Sequence, residues 1–179
     1  MNYFIDWFFG GFNSPRDIIA QIIGFIPLLL SYFIFLKSDR RKIILYKACA
    51  DLFSALHFFV LGAFSGGAIN VVNVLRNIIF SQKDKKWASS NIIPVAFMVF
   101  TFVSAVLTFQ GAKDVLPIIG SWLAIIGFWQ NDIKLLRIFN LAGVALWMIY
   151  GIITVSVSTI IYNVLSIISI LSVLFKHEH

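Results

Sequence analysis

The chain has 179 residues, of which 60% are hydrophobic and 12% charged, and this composition excludes an ordinary soluble domain. Its formal net charge of +6 does not indicate nucleic-acid binding, because the basic residues follow the ends of apolar segments and lack a folded base-reading context. Since one membrane-spanning helix needs about 20 residues, the chain has room for about seven spans and for no soluble domain.

Residues 1–14 at the start of the chain are rich in aromatic side chains, namely Trp7, Phe8, Phe9 and Phe12. This stretch is either a segment at the outer membrane interface, which aromatic rings favour, or an aromatic-rich terminus without regular structure. The remaining hydropathy predicts an all-α polytopic membrane protein with seven transmembrane helices, near residues 17–36, 43–62, 65–82, 91–109, 114–130, 134–152 and 155–174.

The basic residues are distributed unequally between the two sides of these predicted helices. Only Arg16 and Lys113 fall on one side. The other side has the loop residues Lys37, Arg40, Arg41, Lys42, Lys83, Lys85, Lys86, Lys134 and Lys176, with Lys47, Arg76 and Arg137 just inside helix ends. Because basic loops resist translocation, this bias predicts an outside N-terminus and a cytoplasmic C-terminus.

The sequence contains an internal repeat. At a constant offset of 90 positions, Lys47 aligns with Arg137 and Asn73 aligns with Asn163. Each repeat has three helices, and an even number of spans separates their starts, so the repeats are parallel and a substrate path between them is expected near the midplane. The predicted organisation is a first triple-helix repeat at 15–82, a linker helix at 83–111, a second triple-helix repeat at 112–175 and a cytoplasmic tail at 176–179.

Two stretches resemble a known family. One is His57-Phe58-Phe59-Val60-Leu61-Gly62 with the following Asn70, Asn73 and Arg76, and the other is Leu116-Pro117-Ile118-Ile119-Gly120. Both are similar to the YgjV-type bacterial inner-membrane proteins, which are grouped with the PQ-loop, SWEET and MtN3 superfamily. The resemblance runs from about residue 18 to residue 172.

This resemblance implies a SWEET-like fold of three helices, one linker helix and three helices, in the bacterial plasma (inner) membrane. SWEET-like transporters hold a sugar between paired asparagines on the third and seventh helices, with an aromatic residue on the sixth. Asn73, Asn163 and Trp147 lie on the matching helices of this chain.

Five polar or aromatic residues fall at similar depths in the predicted bilayer. At about 1.5 Å per residue, His57, Trp147, Asn163, Asn70 and Asn73 lie roughly 14–21 Å from the cytoplasmic helix ends, in the middle of a core about 30 Å thick. Such residues normally face the interior of the bundle and often mark a pathway, and amides suit a neutral polyol, amide or nucleoside-like solute. The alternative is that they only join neighbouring helices by hydrogen bonds.

Asp51 and Arg76 are predicted to form an ion pair, because an unpaired charge inside the membrane is costly. Lys47 is a competing partner for Asp51, although its long stem can reach the headgroups. The pair either locks the second helix to the third or serves as an inner gate or a proton-coupled carboxylate. His57 either carries a proton or is a neutral core residue bonded to a carbonyl group.

Together these patterns predict a small transporter or facilitator that moves a small polar solute by alternating access; a non-transporting membrane receptor or interaction protein is the alternative. We expect no enzyme, since the sequence has no Walker loop, zinc-protease helix or nucleophile elbow. No cofactor or metal is expected either, because His177-Glu178-His179 lies on a frayed tail of weak ligands. The expected partners are the solute, the lipid bilayer and further copies of the chain in a homo-oligomer, without nucleic acid.

Overall fold

The computed structural model describes residues 10–176, except the side chains at positions 31, 32 and 176. Within this part of the chain there are seven α-helices and no strand, which confirms the all-helical prediction: α1 Pro15–Ile34, α2 Arg40–Leu61, α3 Phe64–Phe80, α4 Ile92–Leu107, α5 Val115–Trp129, α6 Ile133–Ile153 and α7 Val157–Lys176. Short 3₁₀ turns precede α4 and α5, at Lys86–Ala88 and Ala112–Asp114. Trp7, Phe8, Phe9 and the predicted tail residues 177–179 lie outside the described residues.

Polar residues set the ends of several helices. The Ser14 side chain accepts a hydrogen bond from the Asp17 backbone amide, and the Asp17 carboxylate accepts one from the Ser14 backbone amide, which satisfies free amides at the start of α1. Asp39 caps α2 by accepting from the amides of Arg41 and Lys42 at 2.8 and 3.2 Å. Arg40, Arg41 and Lys42 therefore belong to the first turn of α2 and not, as the hydropathy predicted, to a loop.

Six of the helices close a ring. Each of α1, α2, α3, α5, α6 and α7 packs against its neighbours in that order, and α7 packs back against α1. The remaining helix, α4, packs on the outside of the ring against α3 and α5. The ring therefore has an interior to which α4 contributes no wall.

Apolar side chains cover the outside of the bundle, whereas many polar side chains are buried. On α4, Ile92 and Leu107 are 74% and 79% exposed, while Asp51 and Asn77 inside the ring are 0% exposed. This distribution is the reverse of that in a soluble protein and suits a lipid environment. Among the described residues, four helices are long and apolar enough to cross a membrane, at Arg40–Leu61, Ala112–Trp129, Ile133–Ile153 and Val157–Phe175, and two shorter apolar helices occur at Phe64–Phe80 and Ile92–Leu107.

Two apolar clusters fill the two ends of the ring. The larger one includes Phe35, Phe80, Phe128 and Leu136, near the carboxyl ends of α1, α3 and α5. The smaller one includes Phe58 and Tyr150, with Trp147 packed against it. The polar interior of the ring lies between these two clusters.

Candidate functional site

A cavity of about 40 Å³ lies inside the ring, which on the scale of roughly 10–15 Å³ per water molecule is enough for a few waters. Every helix of the ring contributes to its wall, and α4 does not. The lining residues are Gly24, Pro27, Lys47, Asp51, Ser54, His57, Phe58, Asn70, Asn73, Arg76, Gly120, Ala124, Asn140, Gly143, Val144, Trp147, Thr159, Tyr162 and Asn163.

All seven residues singled out from the sequence line this one cavity: Asp51, His57, Asn70, Asn73, Arg76, Trp147 and Asn163. They come from α2, α3, α6 and α7, and the two asparagines of the repeat, Asn73 and Asn163, both face the shared space. Their convergence is a property of the structure, whereas their roles in binding or gating remain predictions.

Asp51 lies at the centre of a buried charged cluster, which we define as Lys47, Asp51, Arg76 and Asn77. Its Oδ1 is in contact with the Lys47 ammonium group, and its Oδ2 accepts a hydrogen bond from Asn77 Nδ2 at 2.8 Å. The Lys47 side chain is only 15% exposed. Lys47 is therefore a primary partner of Asp51 rather than a side chain extended towards the headgroups.

Arg76 is 1% exposed and is held mainly by amides. Its Nη1 donates to Asn73 Oδ1 at 2.9 Å, and its Nε and Nη2 donate to Asn77 Oδ1 at 3.0 and 2.9 Å. Arg76 Nη2 is 4.0 Å from Asp51 Oδ2, which is the outer limit of an ion pair and beyond hydrogen-bond distance. The predicted ion pair between Asp51 and Arg76 is thus only just within ion-pair distance, and Asn77 connects the two side chains by hydrogen bonds to both.

The two repeat-related asparagines differ in their hydrogen bonds. Asn73 accepts from Arg76 and donates from its Nδ2 to Ser121 Oγ at 3.2 Å, so both ends of its amide are used. Asn163 is 2% exposed, and its Nδ2 has no hydrogen-bond partner among the described residues. A buried amide N–H without an acceptor is costly, so Asn163 is a residue of the cavity wall that has an unused donor.

His57 is fixed on both sides of its ring. Its Nδ1 is 2.6 Å from the carbonyl oxygen of Ala20, and its Nε2 is 2.6 Å from Ser156 Oγ. Because a carbonyl only accepts, Nδ1 carries a proton and donates it. Ser156 Oγ is in turn 2.6 Å from Thr159 Oγ1, which connects the ring to the cavity wall through two hydroxyls.

Trp147 closes the cavity on the side of the smaller apolar cluster. Its ring centroid lies 5.8 Å from that of Phe58 and 5.8 Å from that of Tyr150. The space for Trp147 depends on Gly120, where an added Cβ would lie 2.9 Å from the indole and 3.1 Å from the carbonyl oxygen of Gly143. The close approach of α5 and α6 at these two glycines therefore sets the position of the aromatic wall.

Sequence reasoning overlooked Asn140, which also lines the cavity and donates from its Nδ2 to the carbonyl oxygen of Leu136 at 2.7 Å. At the repeat offset of 90 positions, Asn140 aligns with Ala50, so the repeat gives no signal there. The sequence did offer one signal for Asn140, since an amide within the apolar segment 134–152 is expected to face the interior of the bundle.

Three basic residues, Arg40, Lys83 and Arg137, mark one end of the bundle, which we call the basic end. Arg40 donates to the carbonyl oxygens of Gln130 at 2.8 Å and Phe80 at 3.2 Å, and also to that of Phe128. Lys83 contacts the carbonyl of Trp129 and the Asn131 side chain at 3.0 Å. Burial, with the nearby charge of Arg40, lowers the pKa of Lys83.

Arg137 makes the corresponding contacts to the residues that directly follow α1. Its Nη2 donates to the carbonyl oxygens of Phe35 and Lys37 at 3.2 and 3.1 Å. These basic side chains therefore satisfy carbonyl groups that remain free where helices end.

Among residues 10–176 no group of three or more His, Cys, Asp or Glu side chains could hold a metal ion. The side chains that line the cavity offer hydrogen bonds from amides, hydroxyls, an imidazole and an indole, together with the charges of Lys47, Asp51 and Arg76.

Comparison with known proteins identifies the family. The bacterial inner membrane protein family Imp-YgjV matches residues 18–179, so the chain belongs to this family and lies in the bacterial inner membrane. Inner membrane protein YgjV of Escherichia coli (strain K12) is 28% identical over 106 residues, which are 58% of this chain and 54% of that protein. The aligned part thus spans about half the length of this curated relative. No solved structure matches the chain.

Proposed function

We propose that this member of the YgjV family moves a small polar solute across the bacterial inner membrane by alternating access, with the cavity as its binding site and without a catalytic step. The observation that carries the proposal is the unused Nδ2 donor of Asn163, buried in a cavity whose wall comes from six helices. Unsatisfied polar groups inside a membrane are costly and normally mark a path for solutes or ions.

The proposed topology has seven transmembrane helices in a SWEET-like arrangement, with an outside N-terminus. The ring supports it, since α1–α3 and α5–α7 form consecutive arcs and the linker helix α4 lies outside them. The basic end supports the orientation, because Arg40, Lys83 and Arg137 gather where the cytoplasm is expected. Residues 15–82 and 112–175 are then the two halves that move relative to each other.

In this proposal the inner gate consists of contacts that join the two halves at the basic end. Arg40 of the first half holds the carbonyls of Phe128 and Gln130, and Arg137 of the second half holds those of Phe35 and Lys37. Opening towards the cytoplasm breaks these bonds. Asp51 and Arg76 belong to the same half, so their contact moves as one unit and joins α2 to α3.

The outer gate is assigned to the opposite end of the ring. There Gln21 of α1 accepts hydrogen bonds from the Ser158 amide and hydroxyl of α7, at 3.1 and 3.0 Å. Tyr150 of α6 packs directly on Gly66 of α3. Both contacts join the halves, so opening to the outside separates them.

The test is solute uptake by the purified full chain in proteoliposomes, with solutes first chosen by thermal-shift screening of a metabolite panel. Asn163→Ala is expected to abolish uptake while the variant folds normally, because it removes the unused donor. Asn13→Ala, at an exposed position before α1, is the matched control and is expected to transport as the wild type does.

Normal uptake by Asn163→Ala would show that the binding site is wrongly assigned. Solute binding that depends on Asn163, with no uptake under any gradient, would instead favour the receptor function.

A further inference from the structure

The cavity wall carries more positive than negative charge. Three of its described lining residues are charged: Lys47 and Arg76 are cations, and Asp51 is the single anion. All three are inside the ring, where the Asp51 and Arg76 side chains are 0% and 1% exposed and that of Lys47 is 15% exposed. In a poorly solvated interior an excess charge is costly unless another group neutralises it.

Asp51 is already occupied by other groups. One of its oxygens contacts Lys47, and the other accepts from Asn77 at 2.8 Å, which leaves Arg76 at 4.0 Å. The hydrogen bonds of Arg76 end on the neutral amide oxygens of Asn73 and Asn77, and amides do not cancel a charge. The positive charge of Arg76 is therefore only partly compensated.

Arg76 also has hydrogen-bonding capacity left. A guanidinium group has five N–H donors, and those of Arg76 make three hydrogen bonds, through Nε, Nη1 and Nη2. One N–H on each terminal nitrogen thus remains without an acceptor among the described residues. Two terminal N–H groups of an arginine fit the two oxygens of a carboxylate.

We propose that the solute is a small organic monoanion whose carboxylate is held by Arg76 and whose polar remainder accepts a hydrogen bond from Asn163. A single negative charge makes the sum over Lys47, Asp51 and Arg76 neutral, whereas a neutral polyol leaves the excess and a cation increases it. This inference rests on the proposed function, whose solute class it specifies.

The first experiment compares carboxylic acids with their own amides, which have nearly the same shape and no charge. The thermal unfolding midpoint of the full chain in detergent is measured at pH 7 and constant ionic strength with L-lactate against lactamide and with glycerate against glyceramide. The acids are expected to raise the midpoint and the amides to leave it unchanged.

Two variants test whether the charge of the cavity is responsible. Arg76→Gln is expected to abolish the response to the acids while leaving the Lys47–Asp51 contact, and Lys47→Met is expected to reduce the response by making the cavity neutral. Arg41→Gln is the control, because Arg41 is an exposed cation outside the cavity, and it keeps the full response. Equal responses to acid and amide, or an acid response that survives Arg76→Gln, overturn the inference.

A second experiment needs no knowledge of the solute. The fluorescence of Trp147, obtained as the difference between the wild type and Trp147→Phe, is quenched with iodide and separately with caesium. Iodide is expected to quench severalfold more strongly, and the preference is expected to fall towards equality in Lys47→Met. Equal quenching by the two ions, or stronger quenching by caesium, overturns the inference even where no acid in the first experiment binds.

The two proposals fail in different ways. Asn163-dependent uptake of a neutral solute, without an iodide preference, refutes the anionic solute and leaves transport intact. Anion binding that requires Arg76, without uptake, refutes transport and leaves the anion site intact.

Discussion

Asn73 and Asn163 are 90 positions apart and face one cavity from opposite halves of the ring, yet their surroundings differ. Asn73 belongs to a wall in which charged and polar side chains bind one another, through Arg76 and, across to α5, Ser121. Asn163 belongs to a wall without formal charge, and its amide nitrogen is unpartnered. The same residue type thus has both ends of its amide hydrogen-bonded in one half and an unpartnered amide nitrogen in the other.

If the cavity binds a solute as proposed, this difference separates two requirements of a binding site in a membrane protein. The first half fixes charges in place, because each buried cation or anion needs nearby partners to remain in the membrane. In the proposed function, the second half supplies a donor, Asn163 Nδ2, that remains available to a solute. Substitutions on the two walls are therefore expected to have opposite effects: large losses of stability on the first wall and losses of binding on the second.

The largest effect is expected at Asp51, whose carboxylate is the only anion lining the described cavity. Asp51→Ala leaves Lys47 and Arg76 buried without a carboxylate and is expected to lower the free energy of unfolding by about 3–5 kcal/mol. Chemical unfolding in detergent measures this. Asp84→Ala, at an exposed position of the loop at the basic end, is the control, and an equal effect of both substitutions would contradict the charged cluster.

Gly143→Ala is expected to cause the next largest loss of stability. An added Cβ would lie 2.8 Å from the carbonyl oxygen of Gly120, and backbone cannot move aside as a side chain can, so α5 and α6 must separate. The expected loss is about 1–3 kcal/mol, with a shift in the emission of Trp147. Ala142→Leu, on the exposed face of the same helix, is expected to be tolerated in both measurements.

Asn73→Ala is expected to destabilise the protein by about 1–3 kcal/mol, because it removes one acceptor of the buried Arg76 and the bond to Ser121. The same unfolding measurement tests it, with Ser121→Ala added to isolate the bond between α3 and α5. If Asn73→Ala and Ser121→Ala each leave the unfolding midpoint unchanged, Asn73 is not part of a stabilising network.

Asn163→Ala is expected to have the smallest effect on stability, about 1 kcal/mol or less, since its amide nitrogen makes no bond that could be lost. Its effect on binding is the opposite: the thermal shift caused by a solute is expected to disappear. A loss of stability as large as that of Asn73→Ala would remove the distinction between the two walls.

The cavity could be predicted from the sequence because a helix rises by a fixed amount per residue. Counting from the predicted helix ends brought His57, Asn73, Trp147 and Asn163 to similar depths, and all of them line the cavity. The helices themselves followed from hydropathy, since the bilayer leaves few alternatives to a continuous apolar helix.

The hydrogen-bond partners were harder to predict, because they depend on side-chain rotation and helix packing. Asp51 is nearer to Lys47 than to Arg76, although the spacing of four residues between Lys47 and Asp51 already favours contact on a helix. The bridge that Asn77 forms between Asp51 and Arg76 depends on the same rotations and is not predicted by its position in the sequence. The different hydrogen bonding of Asn73 and Asn163 cannot be predicted from the sequence, because both residues are asparagines at equivalent positions of the repeat.

The hydrogen bonds of Arg40 and Arg137 lie where the two halves of the ring can separate with a small free-energy cost. Each arginine supplies donors to carbonyls at the carboxyl ends of helices, where the partial negative charge of a helix collects. At the aqueous boundary, water can donate to these carbonyls as soon as the arginines move away, so the exchange of hydrogen-bond donors costs little free energy. The same bonds at the bilayer centre would have no substitute, so the proposed mechanism places its gate at the rim of the ring and leaves the charged cluster intact deeper inside.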